Sequence, residues 1–378
     1  MTPEEVPDDV RVLDDRFSAV RDEAARQVAQ GLRPSIQIYA SFRGDTVVDL
    51  AVGARGTPDA SYLLWSTTKP FVALALLQMI EDGRARLEDR VTEYLPEFGV
   101  GGKERATLVH LLTHRGGFPD SAPQASRALS AVQLDWDAAI AHVCAMEALW
   151  KPGCDRGYHP RSSWFVLGEV IQRIEDRPLA EVIDARVLGP CGIAREEWSL
   201  GQPERLASAV LPVSTQNARG APSPTEAAFF SDPATHRAVI PGASGISNAR
   251  AVARLYETLL AGGTGPGGRL LSPQMVRAAT FPHAVGIIDR TFLTDLPFGL
   301  GFHLKHARPT LDDCGDSATP GTFGHAGHFL VNTAWADPGK GVAAAILANG
   351  LSPARAGQRG ANRLSQAIHD AVDGILRV

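Results

Sequence analysis

Apolar residues recur at helical spacing near both ends of the chain. Near the beginning they lie three or four positions apart, at Leu13, Phe17, Val20, Ala24 and Val28. Gly31 and Pro34 follow, and both residue types commonly end a helix. Near the end the same spacing relates Leu364, Ile368, Val372 and Ile375. Residues at this spacing share one helical face, so the pattern predicts an amphipathic helix near each end.

Two further segments have the pattern of β-hairpins. Apolar residues alternate with polar or aromatic ones through residues 36–42, and a turn at 43–45 leads into the run 46–52. Much later, residues 329–335 precede an Asp-Pro-Gly turn at 337–339, after which residues 342–347 form a short, continuously apolar run. We therefore expect both ends of the chain to contribute strands to one antiparallel sheet.

Between the hairpins, helical patterns and Gly/Pro-rich connections dominate from about residue 70 to residue 280. The sequence predicts an α+β fold: an antiparallel sheet built from both chain ends and flanked by helices, with a mostly helical region inserted. The sheet domain would comprise residues 1–69 and 281–378, and the helical region residues 70–280. A cleft at the boundary between the two is the natural place for a functional site.

Composition narrows the kinds of partner. Of the 378 residues, 44% are hydrophobic and 21% are charged, which is ordinary for a folded globular protein. The formal net charge of −5, without a block of Lys or Arg, argues against nucleic acid as a partner. The first residues are acidic, unlike a secretory signal, and the most apolar stretch, residues 70–80, is too short to span a membrane. We expect a cytoplasmic protein, not inserted in a membrane, whose four cysteines are reduced thiols.

Ser66 and Lys69 form the sharpest chemical motif, Ser66-Thr67-Thr68-Lys69. It lies between an extended run that ends at Trp65 and an apolar helix expected over residues 71–80. Residues three apart at a helix start share a face, so the Lys69 amine can reach the Ser66 hydroxyl. A serine alcohol needs a base to become a nucleophile, and a desolvated, neutral lysine can supply one. The motif also occurs by chance, with a capping serine and a solvated lysine.

Two loops contain further candidates. Tyr158 lies in a Pro/Gly-rich loop before a helix, where a phenol can relay a proton to a leaving group or can simply be a packing residue. The segment Gly324-His325-Ala326-Gly327-His328 enters the strand predicted at 329–335. The backbone N–H groups of His328 and Ser66 can then bind the oxyanion that forms during acyl transfer. Histidines in a glycine-rich turn can also be structural.

These three segments, in this order, resemble those of the serine β-lactamase, penicillin-binding protein and esterase superfamily, specifically the class C β-lactamase-like esterases and acyltransferases. Residues 87–96, 107–114 and 245–250 resemble it too, and the similarity runs from about residue 15 to the C-terminus. The resemblance implies an acyl-enzyme on Ser66, with Lys69 and Tyr158 as further catalytic residues and with no cofactor or metal. The residues expected to contact substrate are Trp65, His159, His325 and Gly327.

Two departures from the lactamase pattern concern the substrate. Where lactamases of this type have Tyr-x-Asn, this chain has Tyr158-His159-Pro160, without the side-chain amide that would bind the amide bond of a penicillin. Where they have Lys-Thr-Gly, it has His325-Ala326-Gly327, without the cation and hydroxyl that would bind the substrate carboxylate. The His-x-Gly form resembles the esterase branch. We therefore expect a serine hydrolase acting on ester, lactone or amide bonds of small molecules, with β-lactamase action as an alternative.

Other functions stay open at this stage. An acyltransferase would use the same acyl-enzyme, and a non-catalytic binding protein could keep the fold without turnover. His110 and His114 have the spacing of a zinc-binding helix face, but the Glu of His-Glu-x-x-His is absent. No evident motif places a carboxylate beside the other histidine pairs, His303 with His306 and His325 with His328. We expect no metal, no nucleic-acid partner, and a small-molecule ester or acyl substrate.

Overall fold

The computed structural model describes residues 8–216, 219–305, 314–328 and 331–377. The strands in chain order are β1 (Asp8–Leu13), β2 (Ser35–Phe42), β3 (Asp45–Gly53), β4 (Tyr62–Leu63), β5 (Trp198–Leu200), β6 (Ser214–Thr215), β7 (Gly245–Ser247), β8 (Thr264–Gly265), β9 (Gly268–Arg269), β10 (Ile288–Asp289), β11 (Thr294–Asp295), β12 (His303–Leu304), β13 (Phe323–Ala326), β14 (Thr333–Asp337), β15 (Val342–Ala348) and β16 (Gly350–Leu351).

The α-helices in chain order are α1 (Ser18–Ala29), α2 (Lys69–Glu81), α3 (Leu108–Leu112), α4 (Pro123–Ser130), α5 (Trp136–Ala145), α6 (Ser162–Glu175), α7 (Leu179–Ile183), α8 (Gly189–Cys191), α9 (Pro224–Ser231), α10 (Pro233–Arg237), α11 (Ala249–Leu260), α12 (Pro273–Ala279) and α13 (Ala354–Leu376). Short 3₁₀ turns occur at Asp15–Phe17, Trp65–Thr68, Val91–Glu93, Pro96–Phe98, Arg195–Glu197 and Pro203–Arg205, and Asp184–Leu188 is π-helical.

The central sheet has the strand order β1-β3-β2-β15-β14-β13-β12 in the described residues, and each neighbouring pair is antiparallel. β2, from near the start of the chain, pairs with β15, from near its end, and Ile38 lies opposite Ile346. The expected fold, one antiparallel sheet built from both chain ends and flanked by helices, is confirmed.

Both predicted hairpins belong to this sheet. β2 pairs with β3 through the turn at residues 43–44, and β14 pairs with β15 through the turn that follows Asp337. The Asp337 side chain accepts the Gly339 N–H at 2.9 Å, which closes the second turn. Phe329 and Leu330, the first two residues of the strand predicted at 329–335, lie outside the described residues.

Helices cover both faces of the sheet, which explains why β15 is apolar throughout. Val342, Ala344 and Ile346 belong to the apolar cluster that the sheet forms with α1 and α13. The intervening Ala343 and Ala345 belong to the cluster on the other face, where α11 packs. Successive strand residues point to opposite faces, so a strand covered on both needs no polar positions. The two predicted amphipathic helices are present as α1 and α13. α1 begins only at Ser18, so that Leu13 lies in β1 and Phe17 in a 3₁₀ turn.

The α2 helix is the centre of the helical part of the core. It is buried on nearly all sides from Lys69 to Leu77 and contacts α6, α7 and α12. A helix that is apolar all round requires this enclosure. α11 lies within the range 70–280 that we assigned to the helical region, yet it packs on β2, β14 and β15. The division of the chain at residue 280 stays a prediction, and the contacts of α11 join that helix to the sheet.

None of the helices in the described ranges is both long and apolar enough to cross a membrane. Cys144, Cys191 and Cys314 are buried, whereas Cys154 is exposed, and no disulfide joins any of the four within the described residues. The three buried cysteines fill space as small apolar side chains.

Candidate active site

Ser66 lies in the 3₁₀ turn that joins β4 to α2. Trp65, the preceding residue, has a left-handed φ of 46°, which is rare for a bulky side chain. The Asn332 amide donates to the Leu63 carbonyl at 2.7 Å, and Asn332 Oδ1 accepts the Ala348 N–H at 2.8 Å. Asn332 therefore connects the strand before Ser66 to β15. Strained backbone of this kind persists where surrounding contacts fix it, and it is concentrated at functional sites.

Lys69 and Tyr158 both contact the Ser66 hydroxyl. Lys69 Nζ lies 2.6 Å from Ser66 Oγ, and Tyr158 OH lies 2.9 Å from the same oxygen. Lys69 Nζ also donates to the Gly242 carbonyl at 2.7 Å. The three residues predicted to be catalytic thus meet at one oxygen atom, although Tyr158 is 92 positions from Ser66 in the chain.

The environment of Lys69 favours the neutral amine. Lys69 is fully buried, and burial is the main cause that lowers its pKa well below the ordinary value of 10.5. Asp120 raises this pKa and Arg161 lowers it, but Asp120 is itself paired with Arg161 at 2.9 Å. A Cβ at Gly242 would lie 3.2 Å from Lys69 Nζ and 2.6 Å from the Pro160 carbonyl, so glycine is required for this close approach.

The Tyr158 phenol is protonated at neutral pH. Burial raises its pKa above the ordinary value of 10.0, and the hydrogen bond to Ser66 acts in the opposite direction. The Tyr158 backbone N–H donates to Asp289 Oδ1 at 3.3 Å. Arg156, which is fully buried, lies 3.8 Å from Asp289 and 2.9 Å from Asp295. These ion pairs join the Tyr158 loop to β10 and β11.

The end of β13 lies directly against the segment before Ser66. A Cβ at Gly327 would lie 2.9 Å from the Leu64 carbonyl, so a side chain there would displace the backbone. The Gly327 N–H donates to the Asn332 carbonyl at 2.8 Å, which fixes the orientation of this strand end. The ring of His328 stacks near that of Trp65, with centroids 6.2 Å apart. The backbone of His328 is therefore close to the serine turn, and its pairing with the Ser66 N–H as an oxyanion site stays a prediction.

Two residues predicted to contact substrate are packed inside the protein. Trp65 is 3% exposed and lies against Phe230, with ring centroids 5.6 Å apart. His159 is fully buried, and its Nε2 accepts the Phe118 N–H at 3.2 Å. Their contact with substrate stays a prediction.

His325 is a neutral imidazole beside Tyr158. Its Nδ1 lies 2.9 Å from the Ala326 carbonyl, and because a carbonyl can only accept, Nδ1 has the proton and Nε2 has the lone pair. Burial lowers the pKa of His325 well below 6.5. The ring centroids of His325 and Tyr158 are 6.5 Å apart. The position that is a lysine in lactamases of this type therefore has no positive charge at neutral pH.

Two other histidines lie beside Tyr158, and sequence spacing identified them only as members of possible metal-binding pairs. His303 packs on His325, with ring centroids 4.1 Å apart, and burial lowers its pKa to about 3. His114 packs on Tyr158, with ring centroids 4.5 Å apart. His303 reaches the site because β12 pairs with β13, where it lies opposite Gly324, and no local pattern could have indicated this.

Within the described residues, no group of three or more His, Cys, Asp or Glu side chains is arranged to bind a metal ion. His306, which is spaced as a possible metal-binding partner of His303, lies outside the described residues. The side chain of His328 is paired with Glu226, with Nε2 and Oε1 2.8 Å apart.

The fold and the site together define the β-lactamase and transpeptidase-like superfamily. The profile of the Beta-lactamase family matches residues 20–368, and the chain belongs to this family. The resemblance noted in the sequence is thereby confirmed.

Solved structures support the same assignment. A penicillin-binding protein homologue from Caulobacter crescentus superposes with a TM-score of 0.77 at 30% identity, over 96% of this chain and 100% of that one. A family VIII carboxylesterase superposes with a TM-score of 0.76 at 23% identity, over 97% of this chain and 100% of that one, which shows a shared fold.

Among curated relatives, the esterase EstB of Burkholderia gladioli is 30% identical over 219 residues. The aligned region is 53% of this chain and 55% of EstB, so it spans little more than half of either protein.

Proposed function

We propose that this protein is a serine hydrolase that cleaves ester bonds of small molecules through an acyl-enzyme on Ser66. The observation that supports this most strongly is the convergence of Lys69 Nζ and Tyr158 OH on Ser66 Oγ, at 2.6 and 2.9 Å. A serine that serves only as a helix cap needs neither a buried amine nor a buried phenol beside it. The esterase names among the relatives agree with this reaction class.

The hydrogen bonds define a consistent set of proton positions. A neutral Lys69 amine can donate to the Gly242 carbonyl and use its lone pair to accept the Ser66 proton. The protonated Tyr158 phenol donates to Ser66 Oγ. Ser66 is therefore set to lose its proton to Lys69, while Tyr158 keeps a proton that it can give to a leaving group.

The reaction follows from these positions. Ser66 Oγ attacks the acyl carbon as its proton passes to Lys69, and Tyr158 protonates the departing alkoxide to give the free alcohol. Lys69 then returns its proton to Tyr158, which leaves an acyl-enzyme with both groups restored. Water attacks the acyl carbon in the second half, giving its proton to Lys69, and Ser66 leaves with a proton from Tyr158. Lys69 again returns its proton to Tyr158, which restores both groups. The backbone N–H groups of Ser66 and His328 stabilise the oxyanion in both halves.

The site favours uncharged esters over lactams. His325 is neutral and 1% exposed, so it provides no cation for a substrate carboxylate. Pro160 has no side-chain amide at the position where lactamases of this type use one. Both oxyanion donors are backbone groups, so these side-chain changes leave the acyl chemistry in place.

A labelling experiment tests this proposal. We expect a fluorophosphonate probe to label the full-length protein and p-nitrophenyl acetate to be hydrolysed, and both activities to be lost in Ser66→Ala. Ser163→Ala is the matched control, since the buried Ser163 hydroxyl has no hydrogen-bond partner among the described residues. The control should keep both activities. Probe labelling that survives in Ser66→Ala would show that a different residue is the nucleophile. A wild-type protein that is neither labelled by the probe nor able to hydrolyse the ester would be a non-catalytic binding protein.

A further inference from the structure

His114 holds the backbone on both sides of Tyr158. Its carbonyl accepts the Gly157 N–H at 3.2 Å, and its ring Nδ1 accepts the His159 N–H at 3.0 Å. The ring itself packs on the Tyr158 ring at 4.5 Å between centroids. One residue therefore contacts the backbone on both sides of Tyr158 as well as the phenol ring itself.

The spacing that suggested a zinc-binding pair has a different meaning in the structure. His110 Nδ1 accepts the Thr107 N–H at 3.3 Å, within the first turn of α3. His114 Nδ1 accepts from His159, so the lone pair that a metal would need is used in a hydrogen bond. His114 also follows the end of α3 with a left-handed φ of 58°, a conformation in which histidine and asparagine are enriched.

The hydrogen bond to His159 requires a neutral His114 ring, because a protonated imidazole has no lone pair. His114 is fully buried, and burial lowers its pKa well below 6.5. The nearby Arg156 charge lowers it further. The acceptor is therefore present throughout the neutral pH range.

We propose that His114 is a positioning residue that fixes the Tyr158 phenol for proton transfer to the leaving group. This inference rests on the proposed function, since it assigns His114 a role in the reaction at Ser66. His114 acts through the backbone of Gly157 and His159 on either side of Tyr158, and Asp289 accepts the Tyr158 N–H in the same loop. A shift of about 1 Å in a positioned group can reduce a rate about a hundredfold.

Leaving-group dependence separates this role from a structural one. A nitrophenolate departs without protonation, whereas an alkoxide needs a proton from Tyr158. In His114→Leu, which removes the acceptor, we expect kcat/KM for ethyl butyrate to fall about a hundredfold and that for p-nitrophenyl butyrate to fall less than about tenfold. A purely structural defect would reduce the kcat/KM values for the two esters by the same factor. Equal reductions would therefore overturn the proposal.

His114→Asn is the matched rescue variant. The Asn Oδ1 occupies the position of the histidine Nδ1, and asparagine tolerates a positive φ. We expect it to recover most of the ethyl butyrate activity that His114→Leu loses, and failure to exceed the Leu variant would count against the proposal. Should the Leu variant not fold, His114→Gln replaces it, because the Gln oxygen lies one methylene further out and cannot reach the same N–H.

A double-mutant cycle identifies the group through which His114 acts. In a Tyr158→Phe background no phenol remains to be positioned, so His114→Leu should change the residual kcat/KM less than about twofold. If His114→Leu reduces kcat/KM as much in the Tyr158→Phe background as in the wild type, His114 acts through a group other than the phenol. Failure of the proposed function would be visible separately, as unaltered turnover in Ser66→Ala.

Discussion

The Lys69 amine and the Ser66 hydroxyl lie 2.6 Å apart at a position where Lys69 has no exposed surface. A charged ammonium at such a position would need a carboxylate partner, and Asp120, whose charge raises the Lys69 pKa, is paired with Arg161. The combination of closeness and burial supports the proposed role of Lys69 as a base for Ser66, and it has consequences for both activity and stability.

The first consequence is a pH profile set by Lys69. We expect kcat/KM to fall as pH decreases through the lowered pKa of the amine, because only neutral Lys69 accepts the serine proton. The acid limb should lie well below pH 10.5, the ordinary value for lysine. In Lys69→Arg the guanidinium stays protonated, and activity should fall by about 10²–10⁴ at every pH. Measured rate profiles decide this, and an Arg variant with wild-type activity would contradict it.

The second consequence is a pH-dependent stability. Between the lowered folded-state pKa and 10.5, the unfolded chain binds one more proton at Lys69 than the folded protein does. The free energy of unfolding of the wild type therefore rises with pH in this window by about 1.4 kcal/mol per unit from this group. Lys69→Met does not titrate there. In urea unfolding at several pH values, the free energy of unfolding of the wild type should increase relative to that of the Met variant as pH increases. If the two free energies change with pH in parallel, Lys69 is not a buried neutral lysine.

A third prediction concerns the strand end at Gly327. In Gly327→Ala the new methyl group would meet the Leu64 carbonyl at 2.9 Å and displace the His328 backbone. Since loss of one oxyanion donor costs about 10²–10³ in kcat, we expect at least a tenfold fall in kcat with little change in KM. Gly374→Ala is the control, because a Cβ there has no neighbour within 4 Å. Equal kcat values for the two variants would exclude His328 N–H as a donor.

A fourth prediction concerns substrate preference. We expect kcat/KM to be far higher for p-nitrophenyl acetate than for nitrocefin, because the neutral His325 gives the lactam carboxylate no cation. In His325→Lys, the ratio of kcat/KM for p-nitrophenyl acetate to that for nitrocefin should be smaller, because the new cation should raise kcat/KM for nitrocefin relative to the ester. If nitrocefin is the better substrate of the wild type, the protein is a lactamase that uses other groups to bind the substrate.

The sequence predicted those parts of the fold that depend on local periodicity. α1, α13 and the hairpin β2–β3 follow from spacing alone, since each buries a face with a regular repeat. The position of α11 on the sheet does not follow from spacing, because an amphipathic helix can pack on any apolar surface. Our boundary at residue 280 placed that helix with the inserted region for this reason.

The site shows the same division between local and long-range information. Ser66 and Lys69 could be predicted together because they are one helical turn apart. Gly242, His114 and His303 reach them only through tertiary packing, and no motif links them to Ser66. The left-handed backbone at Trp65 was equally invisible, since tryptophan gives no sequence indication of a positive φ.

Detection of an acyl group on Ser66 would identify the nucleophile directly. Rapid mixing of the protein with p-nitrophenyl butyrate, acid quenching and peptide mass spectrometry should place a butyryl group on the peptide that contains Ser66, together with a burst of nitrophenolate of about one equivalent per chain. Ser66→Ala should show neither the modified peptide nor the burst. A butyryl group on a different residue, or turnover by the wild type without any modified peptide, would contradict Ser66 as the nucleophile.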